Sequence, residues 1–179
     1  DHGEGYCVFN DAAIAARAMQ AEGRVRRVVI LDLDVHQGNG TAAILRGDST
    51  VFTFSIHGAK NFPFHKEQSD LDIELPDGTT DAVYLDLAEE GVQRALAMSG
   101  ADMAIYLAGA DPYHGDRLGR MAVSMAGLAE RDRIVLRLCR EWGLPVAIAM
   151  AGGYAKNVDD IVTIHTQTVR IAASTPSTR

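Results

Sequence analysis

Three polar side chains at alternate positions follow an apolar run near the start of the chain. The sequence VVILDLDVH places Asp32, Asp34 and His36 two residues apart, directly after four apolar residues. Because successive side chains of an extended strand point to opposite faces, these three would emerge on one side. Two carboxylates buried there without a partner would be costly. The spacing therefore indicates a bound cation, and two carboxylates with an imidazole are ligands suited to zinc.

Other residues capable of chemistry stand at the ends of later apolar runs. Ser55 ends the second run, Asp111 follows the third, and Tyr154 follows the fourth in the sequence AGGY. Ligands of open parallel sheets bind beyond the carboxyl ends of the strands. We therefore expect Asp34, His36, Asp111 and Tyr154 to meet at one edge of a sheet, although taken singly Asp111 is typical of a turn or cap and Tyr154 of a half-buried tyrosine.

Such a cluster is suited to metal-assisted hydrolysis. A zinc ion with three protein ligands leaves one position open, lowers the pKa of a bound water and polarises a carbonyl. The phenol of Tyr154 could donate a hydrogen bond to the oxyanion that forms. Gly152 and Gly153 directly before it indicate a tight turn or the close approach of a ligand.

The elements that must position these residues alternate between helix and strand. The sequence predicts helices over 11–22, 41–45, 84–98, 125–142 and 158–173. It predicts strands over 27–34, 50–56, 103–110 and 145–152. Near-continuous apolar strands separated by helices predict an α/β fold, an open doubly wound parallel sheet with helices on both faces. A loop of about thirty residues after the second strand is long enough to be functional.

The first predicted helix has recognisable ends. The Asn10 side chain can cap its first turn, and Gly23 follows its last residues. Ile14, Ala18 and Met19 recur at helical spacing and are expected to form its buried stripe.

Length and composition limit the class of protein. The chain has 179 residues, 47% of them apolar, which fits a single domain over 1–179. The net charge of −7 argues against a general nucleic-acid binder. Cys7 and Cys139 form no CxxC pattern, and no run has the length of a membrane span. We expect a cytoplasmic protein that binds neither nucleic acid nor membrane.

The segment GNGTAA, residues 38–43, offers a competing interpretation as a dinucleotide fingerprint. That motif needs an acidic residue about twenty positions further on. Ser55 and His57 stand near that place instead, and three ionisable groups precede the glycines. A dinucleotide-binding domain is therefore a distant alternative.

Four motifs together resemble a known family. GYCVFND, DLDVHQGNG, GAD and AGGY, at 5–11, 32–40, 109–111 and 151–154, closely resemble the zinc-dependent histone deacetylases and occur in that family's order. GDRLG at 115–119, with the AG and RD pairs of 126–132, looks most like the class IV branch and its bacterial relatives. The resemblance implies the arginase/deacetylase fold, of which this chain would hold the central and C-terminal part.

The resemblance also implies roles for single residues. Asp34, His36 and Asp111 would be the zinc ligands, and Tyr154 would polarise the substrate carbonyl. Asp32 and Ser55 would bind a monovalent cation, potassium in this family, and Asp32 would also orient a histidine. The residues expected to line the acyl-lysine channel are Gly5, Tyr6, Phe62, Leu118, Gly152 and Gly153.

The implied reaction is hydrolysis of the amide between an acyl group and a lysine ε-amine. The partner would be an acyl-lysine peptide or protein, or a small acylated amine. The family's tandem histidine pair, its general base and acid, would precede Asp1, so the resemblance implies a domain incomplete at its N-terminus. Loss of such proton transfer costs about 10² to 10⁴ in rate. A non-catalytic module that binds metal or acyl-lysine and an acetylpolyamine-type amidohydrolase are the alternatives.

Overall fold

Five strands and five helices alternate along the chain in the computed structural model, which describes residues 3–174. The strands are β1 (Val28–Asp32), β2 (Val51–Gly58), β3 (Leu71–Leu75), β4 (Met103–Ala108) and β5 (Val146–Met150). The helices are α1 (Asp11–Ala21), α2 (Asn39–Leu45), α3 (Asp81–Ser99), α4 (Met125–Glu141) and α5 (Val158–Ser174). All the predicted elements are present, with ends that differ by a few residues.

The strands form one parallel sheet in the order β3-β2-β1-β4-β5. Asp32, the last residue of β1, lies in register with Ser55 of β2 and Leu107 of β4. The carboxyl ends of three neighbouring strands therefore meet at one edge, because parallel strands in register end together.

The prediction of a single long loop after the second strand was wrong in part, because β3 interrupts that segment. Its sequence, LDIEL, is half polar, and only Leu71 and Leu75 are buried. β3 lies at the edge of the sheet, where its middle residues are only partly covered, so its sequence needs few apolar residues. The apolar pattern that would predict a strand is therefore weak. The remaining loop, residues 59–70, contains Phe62.

Helices cover both faces of the sheet, as the α/β prediction requires. α3, α4 and α5 contribute to a core with Leu31, Leu33 and other apolar residues of the strands. α1 and α2 pack on the opposite face against alternate residues such as Val28 and Ile30. The fold is therefore doubly wound. Among residues 3–174 no helix is long and apolar enough to cross a membrane.

The expected buried stripe of α1 was wrong. Asn10 caps the helix as predicted, since its Oδ1 accepts a hydrogen bond from the Ala13 N–H at 2.8 Å. The buried positions, however, are Ala12, Ala13 and Ala16, whereas Ile14 is 55% exposed. The small side chains on this face let the helix lie close to the sheet. The helix therefore buries its alanine face and not the face with its larger apolar side chains.

We expect Gly91→Ala to destabilise the fold although alanine is the better helix former. A Cβ at this buried position of α3 would lie 2.5 Å from Phe54 Cζ and 2.8 Å from Ile73 Cδ1. Overpacking costs about 1–3 kcal/mol, against a helix-propensity gain of about 1 kcal/mol. Urea unfolding should show a lower midpoint. In Gly40→Ala the new Cβ meets only Asn10 Nδ2 at 3.5 Å, and an equal loss there would contradict the packing argument.

Candidate metal centre

Three predicted ligands converge at the carboxyl edge of the sheet. One ligand atom from each of Asp34, His36 and Asp111 lies within 4.8 Å of the others. His36 Nδ1 is 3.0 Å from both Asp34 Oδ1 and Asp111 Oδ2. Residues 75 or more positions apart are thus brought into one cluster. That they bind a metal stays a prediction.

The chain leaves the regular strand before it reaches Asp34. β1 ends at Asp32, two residues earlier than predicted, and the Asp32 Oδ1 accepts a hydrogen bond from the Asp34 N–H at 3.1 Å. Asp34 Oδ1 in turn accepts from the His36 N–H at 2.9 Å. Leu33 and Val35 are nonetheless fully buried, so the predicted alternation of faces continues beyond the strand.

Asp111 is fixed from two directions at the end of β4. Its side chain is fully buried, and Oδ1 accepts a hydrogen bond from the Val35 N–H at 2.8 Å. Beside it, the Ala110 N–H donates to the Gly152 carbonyl at 2.6 Å, and the Gly152 N–H donates to Asp34 Oδ2 at 2.6 Å. The segments after β1, β4 and β5 are therefore hydrogen-bonded to one another at the cluster.

Burial and neighbouring charges have opposing effects on the pKa values of the three groups in the cluster. Burial, and next the charge of Asp34, raise the pKa of the Asp111 carboxyl. Burial opposes charge on His36 too, but its hydrogen bonds to Asp111 and Asp34 raise its pKa to about 10. Burial would raise the pKa of Asp34, yet the hydrogen bond and charge of His36 outweigh burial and lower it. A positive charge between the carboxylates stabilises the cluster.

The donor set fits a divalent cation for that reason. Without metal, a proton on His36 supplies the positive charge that the two carboxylates need. A metal ion would replace that proton and be bound by one nitrogen and two carboxylate oxygens, a set used in open zinc sites. The backbone leaves room for the two carboxylates, because Gly152 and Gly109 lie so close to them that a Cβ at either position would overlap them.

Tyr154 lies beside this cluster and is held through its backbone. Its ring centroid is 6.3 Å from that of His36 and 5.8 Å from that of Tyr6. The Tyr154 N–H donates to Asp116 Oδ2 at 2.5 Å, and its carbonyl accepts from Arg117 Nε at 2.9 Å. Burial, followed by the charges of Asp34 and Asp111, raises the pKa of the phenol to about 12, so it remains a hydrogen-bond donor.

The predicted channel residues line one cavity of about 1100 Å³. Its walls include Gly5, Tyr6, Phe62, Leu118, Gly152 and Gly153, together with Asp34, His36 and Tyr154. Tyr6 is 85% exposed and Leu118 43% exposed, so both lie at the outer part of the cavity. The channel role of these residues remains a prediction that their positions suit.

The two predicted cation ligands lie side by side but face different surroundings. Asp32 lines the cavity, and burial and then the Asp34 charge raise its pKa. Ser55 is buried and its Oγ lies 2.9 Å from His57 Nδ1. Their binding of a monovalent cation stays a prediction. Gly38 faces the Asp32 carboxyl group, with no room for a Cβ, so an acidic side chain lies where a dinucleotide would need its pyrophosphate.

Sequence reasoning missed two residues that act on this site. Asp116 fixes the backbone of Tyr154, and its position inside GDRLG was the available signal. Arg131 is fully buried behind the predicted metal ligands, where its Nη1 donates to the Gly109 carbonyl at 2.6 Å. The RD pair at 131–132 was the available signal. It did not indicate burial, because an arginine on an amphipathic helix ordinarily lies on a solvated face.

We expect Gly152→Ala to abolish tight binding of Zn²⁺. The new Cβ would overlap Asp111 Oδ2 and lie 2.7 Å from Asp34 Oδ2, so a ligand carboxylate must move. Displaced ligands should weaken the affinity at least about tenfold, measured by calorimetric titration. Gly40→Ala, which lines the same cavity without such a contact, should bind Zn²⁺ normally. Equal affinities of the two variants would show that the carboxylates are not the ligands.

Zinc affinity should increase with pH. The raised pKa of His36 means that its imidazole holds a proton at neutral pH, and Zn²⁺ must displace that proton to reach Nδ1. Between about pH 6 and pH 8 the apparent affinity should rise about tenfold per pH unit for each proton displaced. Calorimetry in two buffers of different ionisation enthalpy counts the released protons. Affinity that is flat with pH, without proton release, would contradict the protonated cluster.

Comparison with known proteins places this geometry in a family. The histone deacetylase domain matches residues 1–169. An uncharacterised protein of Picosynechococcus sp. is 47% identical over 171 residues, which cover 96% of this chain and 57% of that protein. Histone deacetylase 2 of Arabidopsis thaliana is 33% identical over 160 residues, which cover 88% of this chain and 41% of that protein.

A solved structure shows the same fold. The acetylpolyamine aminohydrolase of Burkholderia pseudomallei has a TM-score of 0.82 at 25% identity, over 96% of this chain and 52% of that one. The chain thus spans about half the length of the proteins it matches. Because the family match includes every segment that contributes to the cluster, the chain belongs to the histone deacetylase family, with the arginase/deacetylase fold.

Proposed function

We propose that this protein is a metal-dependent amidohydrolase that removes acetyl or longer acyl groups from the ε-amine of lysine. The observation that supports this most is the convergence of Asp34, His36 and Asp111 beside Tyr154, inside a cavity of about 1100 Å³. The name of a related Arabidopsis protein, histone deacetylase 2, agrees with this chemistry. Zinc is the metal that the donor set favours.

The protein's own residues would divide the work between holding the metal and binding the substrate. Asp34, His36 and Asp111 would hold the metal, which supplies a Lewis acid and an activated water when bound. Tyr154 is neutral because its pKa is raised to about 12. Its hydroxyl would donate a hydrogen bond to the carbonyl oxygen as negative charge develops there. Phe62 and Tyr6 would exclude water along the acyl-lysine side chain.

Proton transfer to the leaving amine needs a further group. Among the cavity-lining residues within 3–174, the single histidine is His36, which the metal would occupy. We therefore include in the proposal that the general base and acid are the tandem histidine pair that the resemblance implies. A module that binds metal and acyl-lysine without turnover is the corresponding alternative for this chain.

An acetylated polyamine is a second candidate substrate. The structure of an acetylpolyamine aminohydrolase superposes with a TM-score of 0.82. Glu4 and Glu67 also line the cavity. A polyamine retains positive amines after acetylation, so acidic walls would attract it.

Three finer assignments are proposals as well. The sequence GDRLG supports placement in class IV. Asp32 and Ser55, adjacent in register, support a potassium site. The pair of free cysteines, Cys7 and Cys139, supports a reducing, cytoplasmic location.

The test is acetate release from an acetyl-lysine peptide by the zinc-loaded protein. We expect release that stops with a chelator, and a kcat about 10² to 10³ lower in Tyr154→Phe, because one oxyanion donor is lost. Zinc affinity should not change in that variant. Tyr113→Phe is the matched control, since the Tyr113 hydroxyl contacts Asp160 at 3.4 Å outside the cavity.

The substrate comparison separates the candidates. A higher kcat/KM for N-acetylputrescine than for the peptide would favour the polyamine activity. Tight zinc binding with neither product formed would support the non-catalytic module. Full activity of Tyr154→Phe would exclude Tyr154 as the oxyanion donor.

A further inference from the structure

A buried arginine links the two segments that hold the metal ligands. Arg131 of α4 is fully buried, and its Nη1 donates to the Gly109 carbonyl at 2.6 Å and to the Leu33 carbonyl at 3.3 Å. Leu33 directly precedes Asp34, and Gly109 stands two residues before Asp111. One guanidinium nitrogen therefore contacts the backbone on both sides of the cluster.

These carbonyls lie where the sheet no longer supplies partners. β1 ends at Asp32 and β4 ends at Ala108, so Leu33 and Gly109 each follow directly after the last strand residue. A buried carbonyl that loses its strand partner needs another donor. Arg131 supplies that donor to Gly109 and shares the Leu33 carbonyl with Tyr84 Oη, which lies 3.5 Å from it. Arg131 thus contacts the backbone just past the ends of both strands.

Asp132 holds the guanidinium in place. Its Oδ1 accepts from Arg131 Nε at 3.0 Å and from Nη2 at 2.8 Å. The same carboxylate accepts from Tyr106 Oη of β4 at 2.5 Å and from Thr168 Oγ1 of α5 at 2.6 Å. The pair of Arg131 and Asp132 thus has no net charge. The guanidinium nitrogen that does not contact Asp132, Nη1, donates to the two carbonyls.

We propose that Arg131, oriented by Asp132, is a positioning residue that sets the separation of the Asp34 and Asp111 carboxylates and thereby the affinity for the metal. This inference rests on the proposed metal site. It acts through the backbone, in the way that outer partners of a metal ligand fix its orientation. A lysine could not replace it, because an ammonium on a flexible stem lacks the planar fork that reaches Asp132 and the carbonyls together.

The simpler interpretation is that the pair only stabilises the core. Arg131→Met alone does not distinguish the positioning role from a purely stabilising role. It leaves Asp132 buried without its counter-charge, so this variant should unfold at a lower temperature. Arg131→Met combined with Asp132→Asn removes both charges at similar volume. The asparagine Oδ1 can still accept from Tyr106 Oη, and its amide N–H can donate to Thr168 Oγ1. The double variant should recover much of the lost thermal stability and yet lack both carbonyl contacts.

The experiment compares zinc binding and cobalt spectra of these variants in the purified protein. Calorimetric titration should give a Zn²⁺ affinity about 10- to 100-fold weaker for the folded double variant. The visible absorption bands of bound Co²⁺ should shift, since they depend on the arrangement of the ligands. Arg131→Lys, which keeps the charge, should show the same changes to a smaller degree. Arg133→Met is the control, because Arg133 is exposed on the same helix and pairs with Glu130.

The outcomes distinguish this inference from the proposed function. A folded double variant or Arg131→Lys with unchanged Zn²⁺ affinity and an unchanged Co²⁺ spectrum would overturn the positioning role and leave the metal site intact. Failure of the unmodified protein to bind either metal would overturn the metal site itself, and this inference with it. Weaker binding and shifted bands in both variants, with Arg133→Met unaffected, would support it.

Discussion

Two carboxylates and an imidazole held together at the ends of two strands, with Asp111 buried and the other two half-buried, are the constraint on which this structure depends. Asp34 and Asp111 repel each other, and burial disfavours the charge on both. The arrangement is stable only because a positive charge at His36 lies between them and backbone N–H groups point at the carboxylates. A site built this way favours a positive charge at its centre.

The general position of the site could be predicted from the sequence because of how parallel sheets are built. Consecutive apolar runs imply strands whose carboxyl ends share an edge, so polar residues after each run must be neighbours. The same reasoning failed where burial is partial. β3 is half polar since it lies at an edge, and α1 buries alanines instead of Ile14 because it packs closely against the sheet. Apolar periodicity indicates which side chains can be buried, and it does not show how closely two elements approach.

The contacts that fix the site could not be predicted. Arg131 and Asp132 form a charged pair on a helix, and sequence patterns assign such residues to the surface. Their burial follows from four separate elements, since Leu33, Gly109, Tyr106 and Thr168 all supply partners. The close contact at Gly152 could not be predicted either. The glycine pair indicates that some group approaches the backbone, but the group is the Asp34 carboxylate, more than a hundred residues earlier in the chain.

The proposed metal ligands and the proposed oxyanion donor, Tyr154, are held by different parts of the fold. Asp34 and Asp111 depend on strand ends and on α4, whereas the backbone of Tyr154 is held by Asp116 and Arg117 in the loop after β4. The two arrangements meet at Gly152, whose N–H binds Asp34 and whose carbonyl accepts from Ala110. In the proposed enzyme, metal affinity and the rate of the chemical step would therefore depend on different contacts, coupled through Gly152.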